Sequence, residues 1–334
     1  MEPTPDKADT AQLMEQILYQ VKRVVVGQDR FLERVMVAML AQGHLLVEGV
    51  PGLAKTLTVK TLANTVRGDF KRIQFTPDLV PADLVGTRIY NQKTGEFGTS
   101  LGPVFTNLLL ADEINRAPAK VQSALLEVMQ ERQVTIAGVS HRVPSPFLVM
   151  ATQNPIETEG TYPLPEAQVD RFMMKVLVDY PTDEEEFVIV QRVTGPAVAV
   201  TAVATTEQLA ELQHACRQVY VDPSLIQYAV RLVSATRTPE KHDLKDLRRF
   251  ITYGCSPRAS INLTEAARAL AMLRGRSYVL PEDMTDLVPD VFRHRLVLSY
   301  EALSEGHTAD AVIGKIMARI PAPAKPLEHE KLAA

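Results

Sequence analysis

The segment that decides the fold is a glycine-rich turn of eight residues, Gly49-Val50-Pro51-Gly52-Leu53-Ala54-Lys55-Thr56. A short apolar run at 44–48 predicts a strand before it, and the pattern of 55–66 predicts a helix after it. A turn in this setting is typical of a phosphate-binding loop, because its backbone N–H groups and the helix N-terminus face the anion. We expect Gly49 through Leu57 to contact ATP, with Lys55 on the β- and γ-phosphates and Thr56 on Mg²⁺.

One position departs from the usual phosphate-loop motif, which has glycine directly before the lysine. Ala54 stands there instead. A side-chain methyl group is tolerated at this place if the backbone angle φ of Ala54 is negative. We interpret the segment as a phosphate loop on that condition; the alternative is a chance glycine turn before a helix.

Two acids end the next strongly apolar segment, Leu108-Leu109-Leu110-Ala111-Asp112-Glu113. Ligands of open parallel sheets bind at the carboxyl ends of the strands. Asp112 is therefore expected to hold Mg²⁺, directly or through water, and Glu113 to polarise the attacking water as a general base. This interpretation requires the loop and the acids to converge on one magnesium-bound triphosphate and to lie on strands that are neighbours in the sheet. The alternative is a solvated strand end.

A polar amide follows a third buried strand predicted over 147–152. Asn154 lies two residues beyond it, directly before Pro155. Placed beside the acids, its amide could hydrogen-bond the attacking water or the γ-phosphate. The alternative is an asparagine that only forms a turn before proline. The order of Asn154 after the other two motifs favours the role in chemistry.

The chain changes character near its middle. Strands and helices alternate over 1–181, whereas 182–320 shows helical periods and almost no strand signal. The pattern predicts an α/β P-loop NTPase core with a parallel sheet, followed by a small all-α lid, with a disordered tail at 321–334. Glycines in 77–103 predict irregular turns, and alternation over 133–143 predicts a hairpin.

Composition narrows the function classes. The chain has 334 residues, of which 46% are hydrophobic, and a formal net charge of -4. That charge gives no global basic surface for nucleic acid. The first ten residues do not resemble a signal peptide, and no apolar run is long enough to span a bilayer. The two cysteines, Cys216 and Cys255, lack metal-site spacing, so we expect a soluble cytoplasmic protein with free thiols.

Taken together, the motifs resemble the AAA+ ATPases and, more narrowly, the MoxR family. The resemblance covers about residues 24–295, and its most diagnostic stretch is 112–118. The matching segments besides the loop are Val26-Gly27-Gln28, Ala111-Asp112-Glu113-Ile114-Asn115-Arg116-Ala117-Pro118, Ala151-Thr152-Gln153-Asn154-Pro155, Leu164-Pro165-Glu166-Ala167-Gln168-Val169-Asp170-Arg171-Phe172 and Ser256-Pro257-Arg258.

The resemblance implies further site residues. Val25, Val26 and Gly27 match the segment that cradles adenine, and Asn154 matches the first sensor. Arg171 matches the arginine finger, which reaches the γ-phosphate bound by a neighbouring subunit and makes hydrolysis depend on assembly.

A second arginine is assigned to the lid. Arg258 matches the second sensor, which acts within one subunit or across the interface. Arg116 and Arg132 remain rival candidates for the finger. Two insertions, at 85–104 and 134–143, match those of the helix-two-insert branch, which face partners or the pore; the alternative is two surface loops.

The family resemblance also implies an activity and partners. It predicts hydrolysis of Mg·ATP by a homo-oligomer that forms a hexameric ring. This ring is predicted to remodel or mature a partner protein, which in this family often contains a von Willebrand factor A domain. A nucleotide-gated binding module with little turnover is the first alternative, and Ala54 favours it. A nucleic-acid motor is the second; the acidic charge and the lack of an aromatic-basic stripe argue against it. A small-molecule kinase would not explain Arg171, Arg258 or the helical lid.

Overall fold

The computed structural model describes residues 7–50, 52–93, 95–155, 160–196 and 198–324. Pro51 of the predicted phosphate loop and residues 325–334 of the predicted tail lie outside these ranges. The first part of the described chain alternates helices and strands. These elements are α1 (Lys7–Val24), α2 (Asp29–Leu40), β1 (Leu45–Glu48), α3 (Lys55–Thr65), β2 (Phe70–Gln74), α4 (Pro81–Val85), β3 (Gly86–Asn91), β4 (Glu96–Leu101), β5 (Leu108–Asp112), α5 (Ala119–Glu131), β6 (Gln133–Ile136), β7 (Val139–Arg142), β8 (Leu148–Gln153), α6 (Glu166–Val169) and β9 (Met174–Leu177).

The central sheet has five strands in the order β2-β5-β8-β1-β9. The pairs β2–β5, β5–β8 and β8–β1 are parallel. The prediction of a parallel-sheet α/β core is therefore confirmed. The expectation that the loop and the acids lie on neighbouring strands is wrong, because β8 lies between β1 and β5.

The middle strands form the core of the sheet because their side chains are apolar on both faces. Residues 108–111 of β5 and 148–152 of β8 are all buried. In a fully buried strand, the first polar residue comes at the carboxyl end of the strand, where the apolar contacts end. This is why β5 and β8 both stop within a residue of the polar groups predicted to act.

Along the chain, two antiparallel hairpins lie between strands of the central sheet. The hairpin predicted over 133–143 is confirmed as β6 and β7. The prediction of irregular turns over 77–103 is wrong, because β3 and β4 pair antiparallel over six residues each. Gly86 is required at the base of this pairing, since a Cβ there would lie 2.2 Å from the Ser100 carbonyl oxygen.

After the sheet the chain is mainly helical, as predicted. The helices are α7 (Asp183–Thr194), α8 (Thr206–Arg217), α9 (Pro223–Arg237), α10 (Pro257–Leu273), α11 (Pro281–Phe292), α12 (Tyr300–Ser304) and α13 (Ala309–Arg319). Two short strands, β10 (Ile251–Tyr253) and β11 (Val297–Leu298), pair antiparallel. Leucines that face inward at helical spacing hold α9, α10 and α11 together, among them Leu232, Leu263, Leu270 and Leu287.

By their internal contacts the described residues form two compact units. The first consists of the described parts of Met1–Val35, His44–Arg171 and Val176–Leu212. The second consists of Met36–Gly43, Phe172–Lys175 and the described part of Gln213–Ala334. The boundary predicted at residue 181 stays a prediction. In the described ranges, no helix combines the length and the apolar character that crossing a bilayer requires.

His44, at the start of β1, makes the stability of the core pH-dependent. Its Nδ1 accepts from the Val149 N–H (3.0 Å), so Nε2 carries the proton and donates to the Met129 carbonyl (3.2 Å). Burial, and to a smaller extent the charge of Arg132, lowers the pKa of His44 to about 3. The folded state thus holds this ring neutral while the unfolded chain protonates it below about pH 6.5.

The unfolding free energy is therefore expected to fall as the pH falls. The contribution of His44 is present above pH 6.5 and is lost on acidification towards pH 3, which amounts to about 2 kcal/mol between pH 7 and pH 5. Urea unfolding of the wild type and of His44→Gln at both pH values measures it. The variant should lose less stability on acidification; equal losses would contradict the assignment.

Candidate functional site

The predicted phosphate loop joins β1 to α3. Gly49 approaches the neighbouring backbone closely: a Cβ on it would lie 2.5 Å from the Val178 carbonyl oxygen, so no larger residue fits. Gly52 has φ of +88° and open space around it. The loop is thus closed against the sheet at its start and open where a ligand would lie.

The backbone of Ala54 corrects one expectation. Its φ is +54° and its ψ is 15°, in the left-handed region, whereas the sequence argument required a negative φ. Ala54 directly precedes α3 and adopts this conformation in spite of its Cβ. An L-residue in this region is destabilised by about 1–2 kcal/mol.

Replacing Ala54 with glycine should therefore stabilise the fold. Glycine reaches positive φ without strain, although it gains entropy in the unfolded chain, so the expected net gain is up to about 1 kcal/mol. Urea unfolding measures the difference. Ala63→Gly is the matched control, since Ala63 lies inside α3 and its replacement should destabilise by about 1 kcal/mol or more. A loss of stability in Ala54→Gly would contradict the strain.

Lys55 extends back over the loop. Its Nζ donates to the Gly49 carbonyl at 2.5 Å. Burial lowers the pKa of Lys55, and the nearby carboxylates, that of Asp112 first, act in the opposite direction. The ammonium group thus lies on the Gly49 carbonyl at the start of the loop, within the electrostatic reach of the carboxylates of Asp112, Glu48 and Glu113.

One cavity unites the three predicted motifs. It has a volume of about 390 Å³. Its lining comes from the loop, from the ends of β5 and β8 and from β2, and consists of Gly49, Gly52, Leu53, Ala54, Lys55, Thr56, Leu57, Arg72, Asp112, Glu113, Thr152, Gln153 and Asn154. The loop, the acids and Asn154 therefore share a site although β8 separates β1 from β5. Arg72, Thr152 and Gln153 were not predicted.

Thr152 connects the two acids. Its hydroxyl donates to Oδ1 of Asp112 at 2.5 Å and accepts from the Glu113 N–H at 2.9 Å. The backbone of Glu113 is left-handed, with φ of 55° and ψ of 50°. A polar residue near the end of an otherwise apolar strand was the available sequence signal for Thr152.

The carboxylate of Glu113 is held from two sides. Gln74 Nε2 donates to its Oε2 at 2.8 Å, and Arg116 Nη1 donates to the same oxygen at 2.9 Å. Gln74 comes from β2, where it pairs with Asp112 across the sheet. Both donors use Oε2, so Oε1 is the oxygen that remains available to accept a proton.

Asp112 is held in a similar way. Its Oδ2 accepts from Arg72 Nη2 at 2.5 Å and from Arg72 Nε at 3.1 Å. Arg72 Nη2 also donates to Gln74 Oε1 at 3.1 Å. Together with Thr152, this arginine fixes the orientation of the Asp112 carboxylate towards the cavity.

The three candidate finger arginines differ in their surroundings. Arg116 forms an ion pair with Glu113, and Arg132 donates to the Phe147 carbonyl at 2.6 Å while lying over that ring. Arg171, just after α6, is partly exposed and does not line the cavity. Among the described residues it has no side-chain hydrogen bond or ion pair. Its role stays a prediction.

The predicted segment Val25-Val26-Gly27 does not line the cavity. Val25 is buried, and Gly27 has φ of +65°. The residue after it, Gln28, donates to the Asp179 carbonyl at 2.9 Å, next to the Val178 carbonyl that closes the loop. This places the Val25-Val26-Gly27 segment close to the start of the loop.

Val50 does not line the cavity. Arg258 belongs to the second unit, where it is the second residue of α10. Ser256 caps that helix by accepting the Arg258 N–H at 3.2 Å. The sensor role of Arg258 stays a prediction.

Comparison with known proteins identifies related chains. The ATPase family associated with various cellular activities (AAA) matches residues 44–174, and the AAA lid domain matches residues 244–316. The chain is 54% identical to Chaperone MoxR1 of Mycobacterium tuberculosis over 93% of its own length and 82% of that protein. It is 30% identical to Protein MoxR of Methylorubrum extorquens over 91% and 93% of the two chains. A crystal structure from Cytophaga hutchinsonii, of a protein described as a candidate ATPase, has 46% identity and a TM-score of 0.90, and the match covers 95% of this chain and 97% of that one.

Proposed function

The chain belongs to the MoxR family of AAA+ ATPases, and from that premise we propose that it hydrolyses ATP with Mg²⁺ as one subunit of a ring that remodels or matures a partner protein. The observation that carries the proposal is the single cavity shared by Lys55, Thr56, Asp112, Glu113 and Asn154. These groups are separate in sequence, and they are those that phosphoryl transfer to water needs.

The residues present fit a magnesium nucleotide. Gly52 lines the cavity with open space at its Cα, so a phosphate can approach the backbone there. The hydroxyl of Thr56 and the carboxylate of Asp112 are oxygen donors of the kind Mg²⁺ prefers. When bound, Mg²⁺ would neutralise charge on the phosphate oxygens. We propose Thr56 and Asp112 as the residues that hold it.

Each protein group then has a defined task. Lys55, which lines the cavity, would donate to the phosphates. Glu113 would accept the proton of the attacking water at Oε1, since its other oxygen is held by Gln74 and Arg116. Asn154, at the end of β8, would orient that water or the γ-phosphate.

Assembly completes the proposed site. Arg171 would contact the nucleotide bound by a neighbouring subunit, and Arg258 would act as the second sensor from the lid. Hydrolysis would therefore require a ring, which we propose to be hexameric. A protein with a von Willebrand factor A domain is the proposed partner. The name Chaperone MoxR1 of the Mycobacterium tuberculosis relative supports chaperone-like work on a protein.

A phosphate-release assay with ATP and Mg²⁺, run beside light scattering for particle size, tests the function. We expect repeated turnover that stops when EDTA removes the metal, and a particle several subunits large in the presence of ATP. Nucleotide binding without turnover would support the nucleotide-gated module instead. The ion pair of Arg116 with Glu113 favours that second candidate, because it engages the proposed base.

A further inference from the structure

The carboxylate proposed to hold the metal already has a cation of the same chain on it. Arg72 directs two N–H groups to Oδ2 of Asp112, at 2.5 and 3.1 Å, while Thr152 donates to Oδ1. The side chain of Asp112 is 19% exposed and that of Arg72 is 49% exposed. Arg72 is therefore held by its ion pair with Asp112 and by Gln74, and not by burial in the core.

A guanidinium on Oδ2 opposes a metal ion at the same carboxylate. Both are cations that the carboxylate attracts, and they repel each other at contact distance. A metal that uses Asp112, directly or through one water, therefore has to compete with Arg72. The half-exposed arginine is the partner that gives way, because its long side chain can turn towards solvent at little cost in packing.

The cavity offers Arg72 a second anion. Arg72 lines the same cavity as Lys55 and Thr56, the groups proposed to receive the phosphates. A planar guanidinium with several N–H donors suits phosphate oxygens as well as it suits a carboxylate. An arginine displaced from Asp112 thus remains within the site and has a ligand for its charge.

We propose that Arg72 is an exchangeable counter-ion of the metal site: it neutralises Asp112 while metal is absent and transfers to the phosphates of the nucleotide when Mg²⁺ binds. The inference rests on the proposed function. It explains why a cation lines this cavity in addition to Lys55. It also predicts opposite effects of one substitution on metal and on nucleotide, which simple damage to the site would not produce.

Strand β2 supplies a matched control. Side chains alternate between the two faces of a strand, so Lys71 points away from Arg72 and Gln74. Lys71 donates to the Phe105 carbonyl at 3.2 Å and does not line the cavity. Lys71→Gln therefore removes the same charge from the neighbouring position without touching the site.

The first measurement is a Mn²⁺ titration of the whole chain without nucleotide, in which electron paramagnetic resonance measures the concentration of the free ion. Arg72→Gln is expected to bind Mn²⁺ roughly fivefold more tightly than wild type, the effect of removing one partly exposed opposing charge. Lys71→Gln should match wild type, and Asp112→Asn should bind more weakly. Equal or weaker binding by Arg72→Gln, or unchanged binding by Asp112→Asn, would overturn the exchange.

The second measurement is the KM for Mg·ATP in phosphate release. Arg72→Gln should raise it by roughly tenfold, because a charge-assisted contact to phosphate is lost, and Lys71→Gln should not. Arg72→Lys, which keeps the charge without the fork of donors, should lie between wild type and Arg72→Gln in both assays. An unchanged KM in Arg72→Gln would overturn the transfer to phosphate. A wild type without any turnover would reject the proposed function, while the Mn²⁺ titration would still decide whether Arg72 and metal compete.

Discussion

Replacing Glu113 with glutamine is expected to lower the rate of phosphate release from ATP by roughly 10²–10⁴-fold, the usual contribution of a general base. The amide keeps the size of the side chain and an oxygen that accepts from Gln74 or Arg116, but it cannot take the proton of the attacking water. The Thr152 hydroxyl that supports the Glu113 N–H is untouched. Binding of a fluorescent ATP analogue should therefore persist while turnover is lost.

The matched control for this substitution is Glu127→Gln. Glu127 lies exposed on α5 and its replacement removes the same charge outside the cavity. It should retain the wild-type rate. If Glu113→Gln turned over ATP as fast as this control, Glu113 would not be the base and the nucleotide-gated binding module would become the better description.

Replacing Arg171 with alanine is expected to lower the rate even further, by roughly 10³–10⁵-fold if the guanidinium acts on a neighbouring subunit's nucleotide. Arg116 and Arg132 are engaged within their own chain, with Glu113 and Phe147. Arg171 is partly exposed, and its side chain makes no hydrogen bond or ion pair with the part of the chain that is described. It is therefore the best placed of the three to act between subunits.

Mixing two inactive variants tests the action between subunits. Glu113→Gln and Arg171→Ala each lack one half of the site, but an interface that combines the intact Glu113 of one with the intact Arg171 of the other is complete. Phosphate release should therefore recover in the mixture. Arg67→Ala, which changes an exposed arginine after α3, serves as control. Full activity of Arg171→Ala alone, or a mixture as inactive as its components, would exclude the finger role.

The site could be predicted from sequence where a polar residue directly follows a buried strand. Asp112 and Asn154 are of this kind, since the apolar runs before them leave no other place for the strand end. Arg72 and Gln74 could not be found in this way. They meet Asp112 and Glu113 only through the pairing of β2 with β5, and no spacing along the chain encodes that pairing.

The fold could be predicted where the burial of one face of an element gives the sequence a regular hydrophobic period. The hairpin of β3 and β4 was missed because all but one of its residues, Gly86, are well exposed, so neither face imposes alternation on the sequence. The order of the strands was missed for a different reason. The apolar composition of each strand predicts that it is buried, but it does not predict which strand lies beside it. The φ of Ala54 likewise depends on how the loop enters α3, and not on the residue itself.

The position of β8 restricts where the length of this chain can change. Met150 pairs with Leu45 on one side and with Leu110 on the other, so one strand sets the alignment of both halves of the site. Deleting a residue of β8 before Thr152 would move the end of β8 by about 3.3 Å relative to both neighbouring strands and turn Thr152 to the opposite face. Added or lost residues at the tips of the two hairpins would alter neither alignment. Natural variants of different length should therefore differ at those tips and keep β8 intact.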